Sequence, residues 1–111
     1  MKDLLYKRIS QDEAKKMMDT LDDYIILDVR TELEFKYGHI PNAINIPNEE
    51  IGHFDPLNLN LEDKSKPILV YCRSGHRSLD ASAKLALMGY DNIYEFGGII
   101  TWEYEIIKKA E

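Results

Sequence analysis

Cysteine is almost missing from this 111-residue chain, and Cys72 is the only one. A single thiol excludes an internal disulfide and a resolving thiol in the same chain, and it fits a reducing compartment. Cysteine pairs at zinc spacing are therefore missing too. His39, His53 and His76 are scattered, so no metal is expected, and no stretch suggests an organic cofactor. No apolar run approaches the ~20 residues of a membrane span. The opening Met1-Lys2-Asp3-Leu4-Leu5-Tyr6-Lys7 is too polar for a signal peptide. A cytoplasmic protein without a membrane partner is expected. Basic residues are in deficit, 14 Lys and Arg against 20 Asp and Glu, for a formal net charge of −6. That balance argues against nucleic acid, whose binding surfaces are basic. Repeats and low-complexity tracts are absent. With 44% hydrophobic residues the chain can bury one core and is too short for two, so residues 1–111 read as a single domain.

What is present centres on Ile68-Leu69-Val70-Tyr71-Cys72-Arg73-Ser74-Gly75-His76-Arg77-Ser78. Pro67 precedes a short apolar run, the mark of a buried strand. Leu79, Ala83, Ala86 and Leu87 then recur at helical spacing until Gly89. The unit reads as strand, tight loop and helix, with Gly75 free to take a positive φ or to let backbone approach a ligand. Amides converging at a helix start, together with the positive end of the macrodipole, make an anion site. Cys72 sits there, beside Arg73, His76 and Arg77, in a setting that favours the thiolate. A buried lone cysteine is ordinarily a small hydrophobe. Two arginines, a histidine and a glycine in the next five residues serve no such purpose.

Two enzyme designs use this kind of cradle. Cysteine phosphatases wrap the loop around a tetrahedral phosphoryl group, and sulfurtransferases hold a smaller persulfide or sulfur donor. The phosphatase pattern puts five residues between Cys and Arg, whereas four separate Cys72 from Arg77. Here the sequence resembles the rhodanese family, whose loop Cys-x-x-Gly-x-Arg-Ser/Thr is matched by Cys72, Gly75, Arg77 and Ser78. Upstream, Leu27-Asp28-Val29-Arg30, Glu34, Gly38-His39-Ile40-Pro41, Ala43 and Asn45-Ile46-Pro47 resemble the family's Asp-x-Arg strand end and Gly-His-Ile-Pro turn. Asn42 stands where the family usually has glycine, and asparagine also enters left-handed geometry. Gly97-Gly98 and Trp102 resemble the family's C-terminal Gly-Gly-x-x-x-Trp.

Along the chain, Ser10-Gln11-Asp12-Glu13 is a capping box that opens a helix to about Thr20, with Ala14, Met17, Met18 and Leu21 on its apolar side. Tyr24 to Val29 reads as a strand covered on both faces. Asp28 is an exception there, since a buried carboxylate needs partners. Two readings stay open: Asp28 and Arg30 lie beneath or beside the Cys72 loop, or they form a structural ion pair elsewhere. Thr31 caps a short helix carrying Leu33, Glu34, Phe35 and Tyr37, ended by Gly38, and His39 reads as a turn histidine bonded to backbone. Ala43 to Ile46 is a short strand. Asn48 is placed to cap a small helix through Ile51 to Phe54, and Asp55 to Lys66 is an irregular segment pinned by Leu57, Leu59 and Leu61. Ile93 to Phe96 is the last strand, and Gly97-Gly98 lets the chain pass close to the loop. Ile99, Trp102, Ile106 and Lys109 predict a final helix, with Trp102 in the core.

Alternating strands and helices without hairpin signals predict an α/β fold, a parallel sheet covered on both faces. The resemblance implies the three-layer rhodanese-like fold of about five mainly parallel strands. It also implies a sulfurtransferase of the stand-alone single-module type. Cys72 would be catalytic, Arg73, Ser74, Gly75, His76 and Arg77 would hold donor or persulfide, and Ser78, Asp28 and Arg30 would support them. The partners implied are a small anionic sulfur donor and a thiol or sulfur-acceptor protein. Rivals are a phosphatase or arsenate reductase on the related fold, and a non-catalytic binding module.

Overall fold

The computed structural model describes residues 5–52, 57 and 63–108. Expectations for the first four residues, for His53, Phe54, Leu59, Leu61 and most of the surrounding segment, and for Lys109 fall outside them. The elements run β1 (Lys7–Arg8), α1 (Gln11–Thr20), β2 (Ile25–Asp28), α2 (Glu32–Tyr37), β3 (Ile44–Asn45), β4 (Ile68–Cys72), α3 (His76–Leu87) and β5 (Ile93–Gly98). All pairings in the sheet are parallel, in the order β1-β5-β4-β2-β3. Strand β4 is central and buried along its whole length. This is the α/β architecture read from the sequence, with α1 and α3 on opposite faces. The edge strand β1 was not anticipated, because two charged residues carry no strand periodicity.

Alternation along β4 divides the core. Ile68, Val70 and Cys72 point to one face, where Leu27, Val29, Ile51, Ala81, Leu85, Tyr90 and Ile93 join them. Leu69 and Tyr71 point to the other, with Ala14, Ile26, Ile40, Ala43, Phe96 and Trp102. The expected capping box at Ser10 is present, and the Thr31 cap proves to be a second one. Ser10 Oγ accepts from the Glu13 N–H while Glu13 returns to the Ser10 N–H, and Thr31 and Glu34 do the same at α2. Asn42 is left-handed, at φ 71°, as its place in the turn required.

Three expectations need correction. The buried face of α3 is Ser78, Ala81, Ser82 and Leu85, whereas Leu87 is 80% exposed. The leucine and alanine spacing therefore misstated the helix's phase. A helix entering straight from a tight loop lies close to the sheet, and small side chains fill that gap. Asn48 begins a single 3-10 turn, Asn48–Glu50. Its side chain is drawn away to α3, donating to Asp80 Oδ2 at 2.9 Å and accepting from Lys84 Nζ at 3.2 Å. The expected final helix is one 3-10 turn, Ile99–Thr101, followed by extended chain whose Ile107 bridges to His39 with bonds of 3.0 and 2.8 Å. No side chain caps that turn and its residues include a β-branched run, so helix propagation lacks support. Trp102 is nevertheless buried against Phe96.

Candidate active site

Strand β4 delivers Cys72 to the carboxyl edge of the sheet, the edge at which open parallel sheets bind ligands. The chain then turns through Gly75 at φ 105°, ψ −1°, which starts α3 from the left-handed region. That turn aims the Gly75 N–H at Cys72 Sγ, 3.0 Å away. The sulfur lies at the head of a 12-residue helix, where the macrodipole favours negative charge. Arg73, Ser74 and His76 are exposed around it, while Cys72 itself is 1% exposed.

A second chain segment holds the loop from behind. Gly98 pairs with Cys72 across the sheet, and the Ile100 N–H donates to Arg73 O at 3.2 Å. A Cβ on Gly98 would stand 2.0 Å from Arg73 O, so only glycine allows this approach. Gly97-Gly98 therefore does what the sequence required of it. Helix α1 contributes as well, through Gln11 Nε2, which donates to Gly98 O at 2.8 Å and to Phe96 O at 3.3 Å.

Of the two arginines, Arg77 is committed elsewhere. It grips the Glu34 carboxylate of α2 with Nη1 at 2.7 Å and Nη2 at 3.0 Å. The Arg77 hydrogen bonds hold Glu34 well below its usual range, at about 2, and Glu34 raises Arg77 in turn. Arg73 lines an open hollow of about 400 Å³ with Arg30, Leu33, Tyr37, Ile99 and Ile100.

Asp28 and Arg30 pair with each other. Arg30 Nη2 donates to Asp28 Oδ2 at 2.6 Å and to Gly38 O at 2.6 Å. Asp28 also accepts from Tyr71 Oη at 2.6 Å, and that hydroxyl accepts from the Ile40 N–H. Burial first, and then the Asp28 carboxylate, push the Tyr71 phenol far above its ordinary range, so it stays a donor. The pair is thus a buried brace on the residue preceding Cys72. Arg30 alone reaches the hollow beside the loop. His39 is a turn histidine as expected, its Nδ1 2.9 Å from Phe35 O and its ring stacked on Phe35.

One residue escaped the sequence reading. Glu95, on the α3 face of β5 and 1% exposed, accepts from Ser78 Oγ at 2.5 Å, from the Gly97 N–H at 3.0 Å and from Arg8 Nε at 3.3 Å. Ser78 Oγ in turn lies 3.3 Å from Cys72 Sγ. The signal was a charge inside an apolar strand, the same reasoning that drew attention to Asp28.

The family model described as the Rhodanese-like domain matches residues 10–105. The chain belongs to that family. A sulfurtransferase of Allochromatium vinosum is 35% identical over 94 residues, 84% of this chain and 83% of that protein. A tRNA uridine(34) hydroxylase of Yersinia pestis is 33% identical over 97 residues, 85% of this chain but only 27% of the hydroxylase. Among solved structures, a rhodanese-like domain protein from Staphylococcus aureus superimposes with a TM-score of 0.77 at 31% identity, covering 94% of this chain and 99% of that one. Every element that forms the Cys72 loop lies inside the matched span. Among the described residues no helix is long and apolar enough to cross a membrane, and no His, Cys, Asp and Glu cluster is arranged to hold a metal.

Proposed function

We propose that this rhodanese-like domain transfers sulfane sulfur from a small anionic donor such as thiosulfate, with Cys72 as carrier. The observation that carries the reading is the Gly75 amide aimed at Cys72 Sγ at the head of α3. An atom held there is supported as an anion. The thiolate attacks the outer sulfur of thiosulfate, a sulfur–sulfur bond forms to Cys72, the original sulfur–sulfur bond breaks, and sulfite leaves with the electron pair. An acceptor, such as cyanide, a thiol or the nucleophilic group of an acceptor protein, then takes the outer sulfur and returns the thiolate. The persulfide's terminal sulfur would be held by loop amides of residues 73 to 77, with exposed Arg73 and His76 meeting the donor. Arg77 braces α3 against α2. The lone thiol suits a reducing, cytoplasmic setting.

A loop with four residues between Cys72 and Arg77 is one short of the phosphatase pattern, which argues against phosphoryl transfer. The likeness to a hydroxylase of which this chain spans 27% favours a second reading, a sulfur-handling or binding module serving a larger activity. Intact-protein mass spectrometry after thiosulfate treatment separates them. A reducible adduct of one sulfur on the wild type, absent from Cys72→Ala, together with loss of cyanide-dependent thiocyanate formation in that variant, is expected for the transferase. No adduct on the wild type favours the module.

A further inference from the structure

Ser78 has one hydroxyl hydrogen and two acceptors for it, Glu95 Oε2 at 2.5 Å and Gly97 O at 3.4 Å. A carboxylate at the shorter distance takes it. The Ser78 Oγ lone pairs are then left facing Cys72 Sγ, and the thiol hydrogen is donated to them across 3.3 Å. All three groups are buried, with Cys72 and Glu95 on the α3 face of the sheet and Ser78 on α3 between them. Glu95 has no packing role that an apolar residue would not fill better, since an ionised group in a core is costly unless partnered.

We propose that Glu95, acting through Ser78, is the acceptor of the Cys72 thiol proton. The Sγ–H bond breaks as a new Oγ–H bond forms, while the old Oγ–H bond breaks as Oε2–H forms, and the electron pair stays on sulfur. The thiolate is left with two donors, the Gly75 N–H and the reoriented Ser78 hydroxyl, and Glu95 is left neutral. A hollow lined by Arg8, Ser10, Gln11, Glu95, Gly97 and Thr101 gives Glu95 an outlet to water. It shares no residue with the hollow at Arg73, so a donor occupying the loop mouth does not block the proton's exit. The other charged groups around this wire are Arg8 from β1, Arg73, His76 and Arg77 of the loop and α3, Glu34 on α2, and the Asp28–Arg30 pair behind Tyr71.

The inference rests on the reading of Cys72 as a sulfur-carrying nucleophile, but its test needs no sulfur donor. Thiolate absorbance is followed against pH, with Cys72→Ala subtracted to remove the tyrosines. Glu95→Gln keeps the size of the side chain and an acceptor for Gly97, but cannot take a proton. Its thiolate midpoint should rise by about one pH unit, a roughly tenfold lower thiolate-to-thiol ratio at any given pH. Ser78→Ala cuts the wire at its other bond and should produce the same rise, and the double variant no more. Simple electrostatics predicts the reverse sign, because removing a negative charge near a thiolate favours it. An unmoved or lowered midpoint in Glu95→Gln overturns the relay, and if that variant fails to fold, an unmoved midpoint in Ser78→Ala does so. A chain that titrates as expected yet takes no sulfur from thiosulfate loses the transferase reading and keeps the relay.

Discussion

At Gly98 a hydrogen stands where any side chain would collide with backbone. A Cβ there meets Arg73 O at 2.0 Å, Arg73 C at 2.4 Å and Ser74 Cα at 2.7 Å, and none of these can rotate away. The backbone at Gly98 is otherwise ordinary, at φ −136°. Gly75 is the converse, with a left-handed φ of 105° and nearest neighbours at 3.6 Å. Gly98→Ala should therefore cost about 3 kcal/mol or more by displacing the loop, whereas Gly75→Ala should cost about 1–2 kcal/mol of backbone strain. Urea denaturation of the two variants checks the order, and equal losses would mean the loop has slack. Arg73 is exposed, and it holds the turn after β5 through its backbone carbonyl, which accepts from the Ile100 N–H. Arg73→Ala should therefore raise the donor KM severalfold, leaving kcat and the unfolding midpoint near wild type. Steady-state kinetics over a range of thiosulfate concentrations reads this directly.

Helices α2 and α3 flank the loop, and a two-toothed ion pair between Arg77 and Glu34 joins them. Glu34 falls from 4.5 to about 2 in the folded state. A carboxylate depressed on folding stabilises above its unfolded value and loses that contribution as pH drops from about 5 towards 2. Both side chains are partly exposed, so solvent screening limits the pair to about 1 kcal/mol or less. Glu34→Gln should accordingly lower the urea midpoint at neutral pH and leave it close to wild type near pH 2. A gap that persists in acid would locate the effect in the α2 capping box, where Glu34 also meets the Thr31 N–H. Arg77→Ala removes the same clamp from the loop side, so stability and activity should fall together, as its place at the start of α3 implies.

Across the whole molecule the two core layers share one sheet, and each contains a natural reporter. Cys72 is the only cysteine and lies in the layer under α3, while Trp102 is the only tryptophan and lies in the layer under α1. Because every strand of β2, β4 and β5 contributes side chains to both layers, neither can melt while the other keeps its packing. Trp102 fluorescence and Cys72 reactivity towards a thiol reagent should give coincident urea transitions. Separated midpoints would mean the layers unfold independently. Trp102→Ala should cost about 3–5 kcal/mol, a large share of the ~5–15 kcal/mol that holds a domain together.

Local chemistry sufficed for much of this protein. The capping box at Ser10, the cap at Thr31, the buried run ending at Cys72 and the left-handed turns at Asn42 and Gly75 were legible because each depends on neighbours in sequence. So was the loop itself, whose residues are contiguous. What only the tertiary structure decided were pairings between distant residues. Asp28 turns to Tyr71, Arg77 turns to Glu34, Asn48 is drawn to α3, and Glu95 meets Ser78 from a strand 17 residues away. The C-terminal apolar residues carried a helical period, yet Ile99, Trp102 and Ile106 pack into the layer under α1 while the neighbouring Ile107 bridges to His39. Periodicity records which residues seek burial, but the partner that each polar group finds depends on how the strands are ordered in the sheet, and that order is set only when the whole chain closes on its core.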